Sequence, residues 1–170
     1  HAREVYSVAF HPAGGLLASG SADNTIKLWG IPGGVLSRTL ANNAFGHPLA
    51  ISPDGTLLVS GGGSSIKLWA LPDGVLRKTL TVPQVYAGQA VQSAIISPDG
   101  RLLIVTPGDG TVKLWSLPDG TFLKSLSPAG SVIALSPDGR VLASKTTGSG
   151  EQPSIKLWSL PEGTQLPICF

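Results

Sequence analysis

The side chains that could carry out chemistry in this chain are few and dispersed. His1, His11 and His47 are its three histidines, and they occur in separate predicted loops, with no cysteine or carboxylate at the spacing of metal ligands. Most acidic residues stand inside Pro-Asp-Gly or Pro-Glu-Gly turns, where turn geometry already explains them. The Gly-x-Ser-x-Gly pattern of a nucleophilic serine does not occur. The sequence therefore predicts no metal site, no cofactor and no enzymatic activity.

The elements that would position a site follow from a repeated motif, Ile/Val-Lys-Leu-Trp. It contains all four tryptophans of the chain, Trp29, Trp69, Trp115 and Trp158, and it recurs at intervals of roughly 40 to 46 residues. A period of this size, with strand-forming residues around it, is typical of a propeller built from four-stranded blades. We expect each tryptophan to be buried on the third strand of its blade.

Two proline- and glycine-containing turns repeat with the same period. Proline presets φ at the first corner of such a turn, and glycine accepts the positive φ that reverses the chain. Each repeat is therefore predicted to contain two hairpins. The turns occupy residues 11–14, 52–55, 97–100 and 136–139, and residues 31–34, 71–74, 117–120 and 160–163.

Apolar residues occur on both faces of the predicted strands. Ile26 and Leu28 point to one side of their strand and Trp29 points to the other, so neighbouring sheets should cover both faces. The predicted fold is all-β, with four blades of four antiparallel strands. The repeats span about residues 1–40, 41–80, 81–126 and 127–170.

With these features the chain resembles the WD40-repeat β-propeller family over essentially its whole length. The similarity among its repeats, and their recurrent Leu-Pro-Asp-Gly turn, resemble the bacterial multi-repeat members. In the family, His, Ser, Asp and Trp form a hydrogen-bonded tetrad within a blade. The resemblance assigns this tetrad to His1, Ser19, Asp23 and Trp29 of the first repeat.

The second, third and fourth repeats depart from the tetrad pattern. In the second repeat Asn42 stands near the His position and Gly63 near the Asp position, whereas Ser60 is kept. The third repeat keeps Asp109 but has Val105 in place of serine, and the fourth keeps only Ser144 and its tryptophan. We expect these three blades to be individually less stable than the first, since a satisfied buried hydrogen bond contributes about 1 kcal/mol.

Four blades are fewer than the seven or eight that usually close a ring in this family. The resemblance therefore implies a partial ring, or half of a larger propeller, with an apolar face open at each end. Three ways of covering these two end faces are possible: a second copy of the chain in a homodimer, missing blades of the same protein, or a rarer closure of four blades. A homodimer is the expectation if these residues are the whole molecule.

The resemblance implies a non-catalytic scaffold that binds a protein or peptide through its rim loops. Aromatic and arginine side chains commonly anchor such interfaces. Against this, Phe45 and Tyr86 could pack under their own loops, and the long connection 145–154 could be a tolerated insertion. The rim candidates are Arg3, Glu4, Tyr6, Phe45, His47, Tyr86, Gln89 and Gln92.

Composition narrows the class of partner. A formal net charge of +2, with scattered lysines, is too small to indicate nucleic-acid binding, and no apolar run is long enough to span a bilayer. The single cysteine, Cys169, cannot form an intrachain disulfide, which favours a reducing compartment such as the cytoplasm. Besides a scaffold, the sequence is compatible with a self-assembling half propeller, a propeller domain of a larger signalling or enzyme protein, and a catalytic or ligand-sensing propeller.

Overall fold

The structure is a computed structural model that describes residues 1–42, 48–83, 91–127, 129–146 and 154–167. Within these ranges the chain forms strands joined by turns and loops. The strands are β1 Val5–Phe10, β2 Leu16–Ser21, β3 Thr25–Gly30, β4 Val35–Ala41, β5 Leu49–Ile51, β6 Leu57–Gly62, β7 Ser65–Ala70, β8 Val75–Thr81, β9 Val91–Ile96, β10 Leu102–Pro107, β11 Val112–Ser116, β12 Thr121–Leu126, β13 Ser131–Leu135, β14 Val141–Thr146, β15 Ser154–Ser159 and β16 Thr164–Leu166.

The strands form four antiparallel sheets, and each sheet contains four strands that are consecutive in sequence. Their orders are β1-β2-β3-β4, β5-β6-β7-β8, β9-β10-β11-β12 and β13-β14-β15-β16. The predicted all-β architecture of four four-stranded sheets is confirmed. We call the sheets blades 1 to 4 in chain order.

The Ser-Pro-Asp-Gly turns explain why the first two strands of blades 2, 3 and 4 form a hairpin. In blade 2, Ser52 Oγ donates to Asp54 Oδ1 at 2.5 Å and accepts a hydrogen bond from the backbone N–H of Leu57 at 3.0 Å. Gly55 then adopts a φ of +74°. The hydrogen bond from Ser52 also lowers the pKa of the Asp54 carboxyl. One serine hydroxyl thus links both ends of the turn.

Consecutive blades pack face to face through a constant pair of surfaces. At the boundary between blades 1 and 2, Ile26 and Leu28 of the first blade share a buried core with Leu58 and Trp69 of the second. The tryptophan face of one blade therefore packs against the Ile-Leu face of the blade before it. The same arrangement recurs around Trp115 between blades 2 and 3, and around Trp158 between blades 3 and 4.

The two outer faces of the array lack this cover. Trp29 is only half-buried, and Phe10, two strands away on the same face, is 66% exposed. At the other end Ile155 is 51% exposed, whereas Ile26 at the equivalent position of blade 1 is 0% exposed. The expected burial of the tryptophans therefore holds for Trp69, Trp115 and Trp158, but not fully for Trp29, because none of the described strands packs on its face.

Candidate functional site

A chain of side-chain hydrogen bonds crosses blade 1 from its third strand to the loop before its first strand. Trp29 Nε1 donates to Ser19 Oγ at 2.8 Å. Ser19 Oγ lies 2.7 Å from His1 Nε2, and His1 Nδ1 lies 3.0 Å from Asp23 Oδ2. Neutral His1 with its proton on Nδ1 satisfies every bond, since Ser19 then donates to Nε2 and the imidazole donates to the carboxylate.

The carboxylate of Asp23 is the negatively charged group of this network. Its surroundings desolvate it, which raises its pKa, but donors from Thr25 and from the backbone of Ala2 and Thr25 outweigh this effect. The resulting pKa is about 2, below the ordinary 3.8. Thr25 Oγ1 donates to Asp23 Oδ1 at 2.6 Å and the Ala2 N–H donates to Oδ2 at 2.8 Å. Asp23 is therefore ionised at neutral pH.

The turn between β2 and β3, which contains Asp23, holds the rim segment Ala2 to Glu4 against blade 1. Besides the Ala2 bond to Asp23, Ser21 Oγ donates to the carbonyl of Arg3 at 3.2 Å, and Ala22 N donates to the carbonyl of Glu4 at 2.9 Å. The backbone of the segment is thus fixed, whereas the side chains of Arg3 and Glu4 are exposed. These hydrogen bonds position Arg3 and Glu4 through the backbone of the segment and do not involve the two side chains.

In blade 2 an asparagine takes the place of the histidine. Trp69 Nε1 donates to Ser60 Oγ at 2.9 Å, and Ser60 Oγ donates to Asn42 Oδ1 at 3.1 Å. Asn42 Nδ2 is buried and has no hydrogen-bond partner among the residues that the structure describes. Gly63, which stands near the Asp position, offers no carboxylate to accept from it. The blade therefore keeps the core of the network but leaves one amide donor unpaired.

Blade 3 keeps the aspartate and replaces its partner by a lysine. Lys113 Nζ lies 3.0 Å from Asp109 Oδ2 and donates to Thr111 Oγ1 at 2.8 Å, and the lysine side chain is 1% exposed. Val105 occupies the serine position, and Val82, which follows the outer strand as Asn42 does, packs in the same buried core. Apolar residues thus replace both members of the Ser60–Asn42 pair.

Blade 4 retains the smallest part of the network. Trp158 Nε1 donates to Ser144 Oγ at 2.9 Å, and both side chains are buried. Ala129, whose backbone N–H donates to the carbonyl of Gly110 as that of Asn42 donates to Asn24, is also buried. The four blades therefore keep one packing geometry, whereas their polar networks differ from blade to blade.

Two of the rim candidates occupy equivalent bulges at the start of the first strand of a blade. Tyr6 lies at the register shift between Val5 and Ser7, and Gln92 lies at the shift opposite Thr106 and Pro107. Both side chains are exposed, and Tyr6 is 49% exposed. Bulges of this kind re-aim a side chain. The strands β1 and β5, and then β5 and β9, lie next to each other, so the two bulges face the same rim.

The remaining rim candidates lie outside the described residues: Phe45, His47, Tyr86 and Gln89. Counting back from the turn of blade 2 gives His47 the sequence position of Tyr6 and Gln92. Most of the long connection 145–154 also lies outside the described residues.

The lysines of the repeated motif make different contacts, and the motif does not show this because the same lysine stands in every repeat. Lys27 and Lys67 lie over the rings of Trp29 and Trp69, at 5.8 Å and 5.5 Å from the ring centroids. Lys113 instead turns to Asp109. The presence of an aspartate without a histidine in the third repeat is the signal that could have indicated this difference.

The opposite rim, formed by the proline-glycine turns, contains a groove of about 760 Å³ between blades 2 and 3. Asp99 and Arg101 line it, but the Asp99 carboxylate already accepts bonds from Ser97 Oγ and Arg101 N. The described part of the chain contains no group of three or more potential metal ligands. Within the same ranges there is also no helix long and apolar enough to cross a membrane.

The blades define a β-propeller, and solved structures share this fold. The structure of U3-55K aligns with a TM-score of 0.81 at 22% identity, covering 98% of this chain and 52% of that one. Kuenenia stuttgartiensis hydrazine synthase aligns with a TM-score of 0.82 at 17% identity, covering 98% of this chain and 50% of that one. This chain thus spans about half the length of these structures.

The family described as WD domain, G-beta repeat (WD40) matches residues 1–30, 43–70 and 78–116, which is more than half of the sequence. The chain belongs to the WD40-repeat family. Coronin-like protein crn1 of Schizosaccharomyces pombe is 44% identical over 61 residues, covering 35% of this chain and 10% of that protein. Nuclear distribution protein PAC1 of Tuber melanosporum is 45% identical over 67 residues, covering 35% and 14%.

Proposed function

We propose that this chain is a non-catalytic WD40 scaffold that binds a protein or peptide at the rim formed by the starts of the first strands. The observation that carries the proposal is the fixed rim segment of blade 1. Three hydrogen bonds to the turn at Ser21, Ala22 and Asp23 hold its backbone, while Arg3 and Glu4 project into solvent. A preorganised backbone reduces the entropy that binding would otherwise cost.

The bulged positions extend this surface. Tyr6 supplies an amphipathic ring and Gln92 a flexible amide at the same register of blades 1 and 3. By its position in the sequence His47 corresponds to them in the second repeat, and the proposal also includes Phe45, Tyr86 and Gln89. Side chains from several blades can thereby contact one ligand.

A displayed peptide library, selected on the purified chain, tests the proposal. Tyr6→Ala and Gln92→Ala should each weaken binding of a selected peptide, by roughly tenfold if about 1.4 kcal/mol of contact is lost. Gln165→Ala, an exposed glutamine on the outer strand β16, is the matched control and should leave binding unchanged. Equal effects of Gln92→Ala and Gln165→Ala, or selected peptides indifferent to all three changes, would refute the rim as the binding surface.

A second candidate function is assembly, in which the end faces are the main contact surfaces. The exposed Phe10 at one end and the exposed Ile155 at the other favour it, because their equivalents between blades are covered. A second copy of the chain or further blades of the same protein would cover these faces. Association measured by sedimentation, with Tyr6→Ala unaffected, would separate this function from rim binding.

Source and compartment are also proposals. The similarity of the repeats to one another supports a multi-repeat protein of the bacterial type, although coronin-like protein crn1 and PAC1 come from fungi. The single Cys169 supports a reducing compartment such as the cytoplasm. The absence of catalytic activity is proposed because WD40 propellers generally act as binding modules.

A further inference from the structure

A second groove on the proline-glycine rim lies between blades 3 and 4, and we call it the blade 3–4 groove. Its volume is about 610 Å³, and the buried side chains of Leu102 and Leu160 contribute apolar walls. Leu123 also lines it and is 44% exposed. Leu123 is the residue at the bulge of β12, between the pairs that Phe122 and Lys124 form with β11. The groove therefore combines buried apolar walls with an exposed leucine from the outer strand.

The exposed leucine is specific to this boundary between blades. Counting from the turn glycine, Ser37 and Arg77 stand at the position of Leu123 in blades 1 and 2. A concave surface with apolar walls and a further exposed leucine suits one apolar side chain of a ligand. The sequence thus gives an apolar anchor point to the blade 3–4 groove and a polar residue to the equivalent places in the two earlier blades.

Two arginines line the same groove from successive blades. Arg101 belongs to the first turn of blade 3 and Arg140 to the first turn of blade 4. Thr56 stands at the equivalent position of blade 2 and Gly15 at that of blade 1. Of the three boundaries, the one between blades 3 and 4 therefore has an arginine on both sides.

The aspartates beside these arginines are engaged within their own turns. Asp99 Oδ1 accepts hydrogen bonds from the turn serine at 2.5 Å and from the Arg101 N–H at 3.0 Å. Asp138 Oδ1 makes the same two contacts, at 2.6 Å and 3.1 Å. In the part of the chain that the structure describes, the guanidinium groups of Arg101 and Arg140 form no hydrogen bond and no salt bridge. The cationic groups are thus the ones available to a ligand.

We propose that the blade 3–4 groove is a second binding surface, which takes a peptide segment with a leucine-like residue and acidic side chains close to it in sequence. The apolar side chain lies against Leu123 and the buried walls, and the carboxylates pair with Arg101 and Arg140. A basic segment would be repelled by the two arginines, and an inorganic anion would leave Leu123 exposed. The surface lies on the rim opposite to Tyr6 and Gln92, so the inference does not depend on the rim proposal.

Peptides selected from a displayed library on the purified wild-type chain test the inference when they are sorted by the variants that weaken them. Arg101→Gln, Arg140→Gln and Leu123→Ser should each weaken one class of peptides by roughly tenfold, because each removes one of the proposed contacts. These peptides should contain Asp or Glu near an apolar residue, and Tyr6→Ala should leave their binding unchanged.

Arg77→Gln is the matched control, because Arg77 is also an exposed arginine but lines neither groove on this rim. It removes the same charge and should leave this class of peptides unaffected. Replacing the acidic residues of a selected peptide by Asn or Gln should weaken its binding to wild type and abolish its sensitivity to Arg101→Gln. The urea midpoints of all these variants should match wild type, since the substituted side chains are exposed.

Three results would overturn the inference. The first is a selection that contains no peptide sensitive to Arg101→Gln, and the second is an equal loss with Arg77→Gln, which indicates a general effect of charge. The third is competition by inorganic phosphate together with indifference to Leu123→Ser, which indicates an anion site only. Peptides that respond to Tyr6→Ala alone support the rim and refute the groove, and the reverse pattern refutes the rim, so either proposal can fail alone.

Discussion

The ammonium group of Lys113 lies 3.0 Å from the carboxylate of Asp109, inside a blade where both side chains are almost completely buried. In blade 1 a histidine makes the corresponding contact to Asp23. A lysine in blade 3 and a histidine in blade 1 therefore contact aspartates at the equivalent turn position. The lysine reaches it from the third strand of the blade, whereas the histidine reaches it from the loop before the first strand.

Removal of the Lys113 cation should destabilise the chain strongly. Lys113→Met leaves the Asp109 carboxylate buried without its counter-charge, and we expect a loss of about 3–5 kcal/mol in the free energy of unfolding by urea denaturation. Lys27→Met, at the equivalent but half-buried position over Trp29, should cost less than about 1 kcal/mol. If Lys113→Met costs as much in an Asp109→Asn background, the ion pair is not the cause.

The hydrogen bond between Ser60 and Asn42 should show coupling. Ser60→Val removes the acceptor of Trp69 and the donor to Asn42, at a cost of about 1–3 kcal/mol. Adding Asn42→Val to that variant should cost less than Asn42→Val alone, because the amide has already lost its partner. The double variant resembles blade 3, where Val82 and Val105 pack together. Strictly additive costs would argue that the two side chains do not interact.

Acid should weaken blade 1 through Asp23. Its pKa is about 2 in the folded chain, below the ordinary 3.8, so folding favours the ionised form. The stabilisation is present above the ordinary pKa and is lost as pH falls from about 5 toward 2. The difference in unfolding free energy between wild type and Asp23→Asn should therefore shrink over this range. A difference independent of pH would contradict the assignment, and Asp73→Asn, at an exposed turn, controls for general loss of charge.

Two glycines with the same backbone conformation should differ in their tolerance of a methyl group. Gly34 and Gly74 have φ values of +63° and +66°, so alanine is strained equally at both. Only at Gly74 would the added Cβ collide with Leu40. Gly74→Ala should thus cost about 1–3 kcal/mol more than Gly34→Ala in thermal or urea unfolding. Equal costs would mean that blades 1 and 2 do not pack as described.

The sequence predicted the sheets because two local signals, turn chemistry and strand alternation, repeat in phase with Trp29, Trp69, Trp115 and Trp158. It also indicated that Asn42 stands near the His position of the second repeat. The repeated lysine motif alone did not predict the burial of Lys113, since the lysines of the other repeats remain partly exposed. That difference arises from three-dimensional neighbours, namely Asp109 and the absence of a histidine beside it.

The sequence predicted an open apolar face at each end of the array, but it did not show that Trp29 lies on one of them. Its motif is identical to that of Trp69, and only the packing order of the blades decides which tryptophan is covered. The contact between Leu40 and Gly74 is long-range for the same reason. Repeats specify their own hairpins locally, but the contact surface of each depends on its neighbour.

The tryptophan faces of blades 2, 3 and 4 are each covered by the preceding blade, whereas the tryptophan face of blade 1 is open. Hydroxyl-radical footprinting of the dilute wild-type chain, read at single residues by mass spectrometry, tests this arrangement most directly. Trp29 should be modified several-fold faster than the other tryptophans, together with the exposed Phe10, because Trp69, Trp115 and Trp158 are each no more than 5% exposed. Equal modification rates at all four tryptophans would contradict the stacking of the blades.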